Sequence, residues 1–354
     1  MLHISLGNSE NISSPTPALY VFGDSLFDNG NNNLLPTLAK ADFSPYGINF
    51  DRGPTGRFTN GRTVVDFIAE FLGLPYPPPY MSIIRRVLHP DQYLTGLNFA
   101  SGSCGILPET GNHLGKCLNL GEQIGLFERT VKNELPRHYR NSDELSNYLS
   151  NSVFVVSVGS NDYINNYLDK QHSDTSQRYS PQSYAKLLID RLSQQFQRLY
   201  QLGARKVIMF EIGPIGCIPS STRQFKHNGQ CVEEINQLAI MFNNHLAHML
   251  HNLTSTLQGS SFILGHAHWL GYDAAINPSK YDRPSSFRAE NFLAQSDLKF
   301  GSAKPELTAL LQSYHLFMHD YEVASQSLGH WLVGTQTNTI SGMDIISLKL
   351  FIGP

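Results

Sequence analysis

A three-layer α/β/α fold around a mostly parallel five-stranded sheet is what this 354-residue sequence predicts. Three observations predict it. Short apolar runs recur along the chain and break into Gly, Asn, Asp and Ser at their carboxyl ends. Helical patterns of long period separate several of them. One run, residues 153–158, is continuously β-branched and aromatic, as expected of a strand covered on both faces. Alternation of this kind builds a parallel sheet with helices on each side.

The first strand is expected at 18–22, ending in Gly23-Asp24-Ser25 and the Asn-rich stretch to Asn33. A weaker second strand, 96–100, follows the proline-rich loop 75–79. The third is 153–158, the fourth 206–211 and the fifth 261–264. Between them, Tyr184, Leu187, Leu188, Leu192, Phe196 and Leu199 mark one helical stripe, with Ser180-Pro181 as its start and Gly203 as its stop. Ile235, Leu238, Phe242, Leu246, Leu250, Leu253 and Leu257 mark a second. Both stripes read as core.

Composition narrows the function classes. With 41% hydrophobic and 16% charged residues the chain is a folded, low-charge protein. A formal net charge of -3 and no long Lys/Arg run offer nothing to nucleic acid. No apolar stretch reaches the length needed to span a bilayer. The four cysteines fall into two local pairs, Cys104 with Cys117 and Cys217 with Cys231, and none has C-x-x-C metal spacing. Two disulfides in an oxidising compartment fit best, with four buried thiols as the other reading. Acceptor triplets for N-glycosylation at Asn11 and Asn252 point weakly the same way. Residues 1–17, by contrast, lack the basic and apolar regions of a signal peptide.

Three strand ends carry distinctive chemistry: Gly23-Asp24-Ser25, Asn98-Phe99-Ala100-Ser101-Gly102 and Gly159-Ser160-Asn161-Asp162. In a parallel sheet all three emerge at the carboxyl edge, where open α/β sheets bind ligands. Taken singly, each has an ordinary explanation. Asp24 and Ser25 begin a turn, Gly102 serves a tight turn, and Asn161 caps a helix starting near Tyr163. Together they match acyl transfer to serine. Ser25 is the nucleophile, while the Gly102 N–H, the Asn161 amide and the Ser25 N–H are donors for the oxyanion.

The blocks carrying these residues resemble the GDSL esterase/lipases, in the plant branch of the SGNH hydrolase superfamily. They are F-G-D-S-L-F-D-N-G-N-N-N from Phe22, G-R-F-T-N-G-R-T-V-V-D-F from Gly56, and N-F-A-S-G-S-C-G-I from Asn98. V-G-S-N-D-Y-I-N-N-Y from Val158, G-P-I-G-C-I-P from Gly213 and L-G-Y-D-A-A-I-N-P-S-K-Y from Leu270 follow in order. The resemblance implies a flavodoxin-like fold and a secreted serine esterase acting on carboxylic esters, lipids among them. Ser25 falls on the nucleophile position and Gly102 and Asn161 on the oxyanion-hole positions. Both cysteine pairs fall where that branch has disulfides. The Gly56 block reads as structural.

The resemblance stops at about Tyr281, dividing the chain into a hydrolase domain at 17–281, a divergent tail at 282–354 and an N-terminal extension at 1–16 expected to be disordered. The family's Asp-x-x-His, which supplies the base and its orienting acid, has no clear match in the tail. His315 echoes it, but Gln312 stands where the Asp belongs. The chain's own Asp-x-x-His, Asp169 to His172, precedes the fourth strand and reads as a solvated pair. His266 and His268 read as structural. In the tail, Leu307, Leu310, Leu311, Tyr314 and Phe317 suggest a substitute helix, and 345–352 is apolar and β-prone. Both ends depart from the family pattern, as an alternative transcript or a misassembled gene model would produce.

Two readings follow. One is a monomeric esterase taking small-molecule or lipid esters, with no cofactor and no metal, because no His, Asp and Glu set has ligand spacing. The other is a catalytically impaired relative that keeps the fold and at most binds.

Overall fold

The computed structural model describes residues 16–84 and 93–277. Its sheet has strands β1 (Leu19–Gly23), β2 (Val153–Ser157), β3 (Lys206–Phe210) and β4 (Ser261–Gly265). They lie side by side in that order, all parallel, with Gly23 opposite Ser157 and Val156 opposite Met209.

The described sheet has four strands where five were expected. Residues 96–100 do lie along β1, and the Val21 N–H donates to Leu97 O (2.9 Å) while the Phe99 N–H donates to Val21 O (2.8 Å). They pair, however, only as isolated bridges at Asn98. The outer neighbour explains why. It is the proline-rich loop, where the Asn98 N–H finds Pro78 O (2.9 Å) but the prolines have no N–H to return. With this segment counted at the edge, the spatial order is second, first, third, fourth, fifth. That is a doubly wound order, and its reversal lies between β1 and β2.

Successive strand residues face opposite sides. Tyr20, Phe22, Phe154, Val156, Val207 and Met209 face one core, completed by helices α2 (Leu120–Arg129), α3 (Pro181–Gln201) and α4 (Glu233–Thr256). Leu19, Val21, Val153, Val155, Ile208 and Phe210 face the other, with α1 (Val64–Phe71) and Leu270 of α5 (His268–Ile276). Phe127 of α2 packs against Tyr20 (4.9 Å between ring centroids), Phe22 (5.7 Å) and Phe154 (5.5 Å). Tilted and edge contacts of this kind add about 0.5–1.5 kcal/mol each beyond burial.

Helix α3 starts as read. Ser180 caps it by accepting from the Ser183 N–H (3.2 Å), with Pro181 in the first turn and Gly203 beyond its end at φ +106°. Both stripes are core, except that Leu187, Leu238 and Leu257 are half-buried at its margin. Cys104 pairs with Cys117 and Cys217 with Cys231. No described helix is long and apolar enough to cross a membrane. The N-terminal extension, the tail helix around Leu307 and the stretch 345–352 lie outside the described residues.

Candidate active site

Ser25 stands at the carboxyl end of β1, where the strand order reverses. Gly23 makes the turn there possible. Its φ is +148°, and a Cβ on it would lie 2.2 Å from Ser157 O. The Asp24 N–H still extends the sheet by donating to Ser157 O (3.0 Å), and then the chain curls. The N–H groups of Phe27 and Asp28 return to Asp24 O at 3.2 and 2.9 Å. Gln123 of α2 fixes the strand end from below. Its Oε1 accepts from the Gly23 N–H and its Nε2 donates to Gly23 O, both at 2.8 Å.

The second loop is fastened to this turn. The Ser101 N–H donates to Gly23 O (3.0 Å), and Asn98 Nδ2 donates to Phe27 O (2.7 Å). The Asn run is part of the same mesh, with Asn31 Nδ2 on Ala100 O (2.8 Å) and Asn32 Nδ2 on Gly102 O (2.9 Å). The Gly102 N–H donates to Asp28 Oδ2 (3.1 Å), so it already has an acceptor. A side chain at Gly102 would meet the Phe58 ring at 2.7 Å. Next to it Ser103 is the one described non-glycine residue at positive φ, +68°. Strained backbone of this sort clusters at functional sites.

The third loop closes the group. Asn161 sits in the short helix Ser160–Asp162 and does not cap it. Its Nδ2 donates to Cys104 O (2.9 Å), while its Oδ1 accepts from Asn165 Nδ2 (3.0 Å). An amide nitrogen carries two N–H groups, so one is left to donate. Asp162 holds the second loop by accepting from the N–H groups of Ile106 (2.8 Å) and Leu107 (3.0 Å) and from Thr110 Oγ1 (2.7 Å). Thus the turn of Ser25, the strand end at Gly102 and the helix of Asn161 form one hydrogen-bonded assembly. Ser25 is 1% exposed and Asn161 4%, so both lie at its floor.

Three carboxyls share this floor, and burial raises all of them. Asp24 is pushed up to about 7, further raised by the nearby Asp162 charge and only partly offset by the Leu26 N–H. Asp28 and Asp162 are pushed up to about 6 against the backbone N–H groups they accept from. Asp28, Gln123 and Asp162 escape sequence reading as site supports. Gln123 alone leaves a signal, as a polar residue within the apolar stripe Leu120, Ile124 and Phe127.

The histidines sort differently. His268 is buried, its Nδ1 3.1 Å from Ile212 O, and His266 Nδ1 lies 3.1 Å from Glu211 Oε1. His172 and Asp169 do pair, Nδ1 to Oδ2 at 2.8 Å, and His113 joins them from the second loop. His315 lies outside the described residues.

The sequence of residues 19–297 matches the family model of the GDSL-like Lipase/Acylhydrolase domain. The chain is 47% identical to "GDSL esterase/lipase 7" of Arabidopsis thaliana over 277 residues, 78% of this chain and 75% of the relative. It is 43% identical over 272 residues to "GDSL esterase/lipase At1g33811" of the same plant, covering 75% and 72% of the two chains. A third relative, "GDSL esterase/lipase At5g08460", is 42% identical over 284 residues, covering 78% and 72%. The chain belongs to the GDSL-like lipase/acylhydrolase family, and by family it is a carboxylic ester hydrolase.

Proposed function

We propose that this family member is a serine esterase in which Ser25 Oγ attacks the carbonyl carbon of an acyl or lipid ester. One observation supports the reading: the three loops are hydrogen-bonded to one another at the sheet's switch point, and Ser25 lies in the first of them. Attack forms the Oγ–C bond as a base removes the hydroxyl proton. The carbonyl oxygen becomes an oxyanion, and collapse breaks the bond to the alcohol, which leaves with a proton. Water then releases the acid and restores the hydroxyl.

The oxyanion is held by the free N–H of the Asn161 amide, the Ser25 N–H and the Gly102 N–H, which exchanges Asp28 for the substrate. A donor already in place costs no reorganisation at the moment of reaction, so Asn161 and Ser25 are the ready pair and Gly102 the adaptable one. The hydrolase domain is taken as 17–281. Two disulfides and an exposed Asn252 favour a secreted protein, and a monomer suffices because all three loops come from one chain.

A fluorophosphonate probe tests the nucleophile. Peptide mapping is expected to find the adduct on the peptide containing Ser25 and to lose it in Ser25→Ala. An adduct on any other serine, or none, overturns the assignment.

A further inference from the structure

We propose that His113, Asp169 and His172 form a site for a divalent transition-metal ion of the zinc class, bridging the loop after Gly102 to the loop after Asn161. Their ligand atoms all lie within 4.8 Å of one another. Asp169 Oδ2 is 2.8 Å from His172 Nδ1 and 3.6 Å from His113 Nε2, and the two imidazoles stack with centroids 4.4 Å apart, 6° from parallel. Ligands about 2.0–2.2 Å from a tetrahedral zinc are separated by about 3.4 Å. The observed 2.8 and 3.6 Å straddle that value. Parallel stacked rings cannot both hold one ion in their planes, so binding turns the His172 ring out of the stack, and its side chain, 38% exposed, has room to turn.

The surroundings are those of a prepared site. Asp169 Oδ1 is occupied by the N–H groups of Gln171 (3.2 Å) and His172 (3.3 Å), which leaves Oδ2 aimed at the imidazoles. Hydrogen bonding of the second carboxylate oxygen is how metal-ligating acids are oriented. His113 sits in the turn Asn112–Leu114, anchored where Leu114 O accepts from the Leu38 N–H (2.8 Å). Asn166 Nδ2 joins the two loops through Thr110 Oγ1 (3.3 Å), and Thr110 Oγ1 in turn donates to Asp162 (2.7 Å). The ligands are thus contributed by two already connected loops, with His113 lying 56 residues from Asp169, which is why the local Asp169-x-x-His172 spacing did not announce the full set.

Two imidazole nitrogens and one carboxylate suit zinc, leaving its fourth position to water. The metal takes the Nδ1 lone pair of His172, whose ring keeps its proton on Nε2. An ion there would clamp together the loops that carry Gly102 and Asn161. The clamp and the esterase chemistry rest on different residues and fail separately.

Isothermal titration of the full chain with zinc chloride, after chelator treatment, tests the site. One equivalent is expected to bind, with magnesium unable to displace it. His172→Asn and His113→Gln are each expected to weaken binding by more than about 10-fold, while their metal-free melting temperatures stay near that of the parent. The exposed His172→Asn reads out the site on its own should His113→Gln fold poorly. Cobalt in place of zinc is expected to give the visible absorption of a tetrahedral site in the parent only. No saturable zinc binding by the parent, or equal binding by the His113→Gln/His172→Asn pair, overturns the proposal.

Discussion

Of the three buried carboxyls at the site, Asp24 is the one whose ionisation the fold least tolerates. Its Oδ1 accepts from the Leu26 N–H (3.0 Å), and its Oδ2 is buried without a hydrogen-bond partner. Burial lifts its pKa from the ordinary carboxylate range to about 7. A raised folded-state pKa means stability present below the unfolded value near 3.8 and lost as pH rises toward about 7. The expected outcome is that Asn at this position removes that loss. Measured by thermal melts at pH 4, 5.5 and 8, Asp24→Asn should gain on the parent as pH rises between those two values, by about 1.4 kcal/mol for each pH unit. A gap independent of pH would contradict the burial argument. At this scale the sequence was partly legible. The placement of Ser25, Gly102 and Asn161 at strand ends is legible because the turn signals that mark it are local. The support that Asp28 and Asp162 give is not, because the contacts by which they hold the second loop reach 74 and 56 residues away, to Gly102 and Ile106.

Among the elements, the block from Gly56 shows why a family motif need not be catalytic. Arg57 makes a two-pronged contact with Asp66, Nε to Oδ2 at 2.8 Å and Nη2 to Oδ1 at 2.7 Å, with both side chains buried. Asp66 Oδ2 also accepts from the Thr63 N–H (2.8 Å), which caps α1. One carboxylate therefore starts the helix and neutralises a buried guanidinium. Asp66→Ala strands that charge, and a loss of about 3–5 kcal/mol is expected, read from the urea midpoint. A loss below about 1 kcal/mol would mean that Arg57 is solvated after all. Two arginines and a helix start made this block legible as structural. The edge segment at 96–100 was harder to read. Its alternation resembles a strand, but strand character depends on the neighbour, and a proline-rich neighbour supplies few donors.

For the whole molecule, the three-layer α/β/α class was legible because long amphipathic helices between short apolar runs permit few other arrangements, whereas the strand order rested on the family resemblance. The site follows from the strand order, since the reversal between β1 and β2 is the kind of position at which open α/β sheets bind ligands. Both disulfides brace loops at this same edge, one beside Asn161 and one after β3. Through-space groupings were out of reach of the sequence, and His113 with Asp169 and His172 is the clearest case. In the proposed reaction this whole architecture serves one nucleophile, Ser25. Hydrolysis of a short-chain chromogenic ester by the parent and by Ser25→Ala is the decisive comparison. A measurable parent rate is expected, with a loss on the order of 10^4-fold or more in the variant. Equal rates for the two proteins would overturn the role of Ser25.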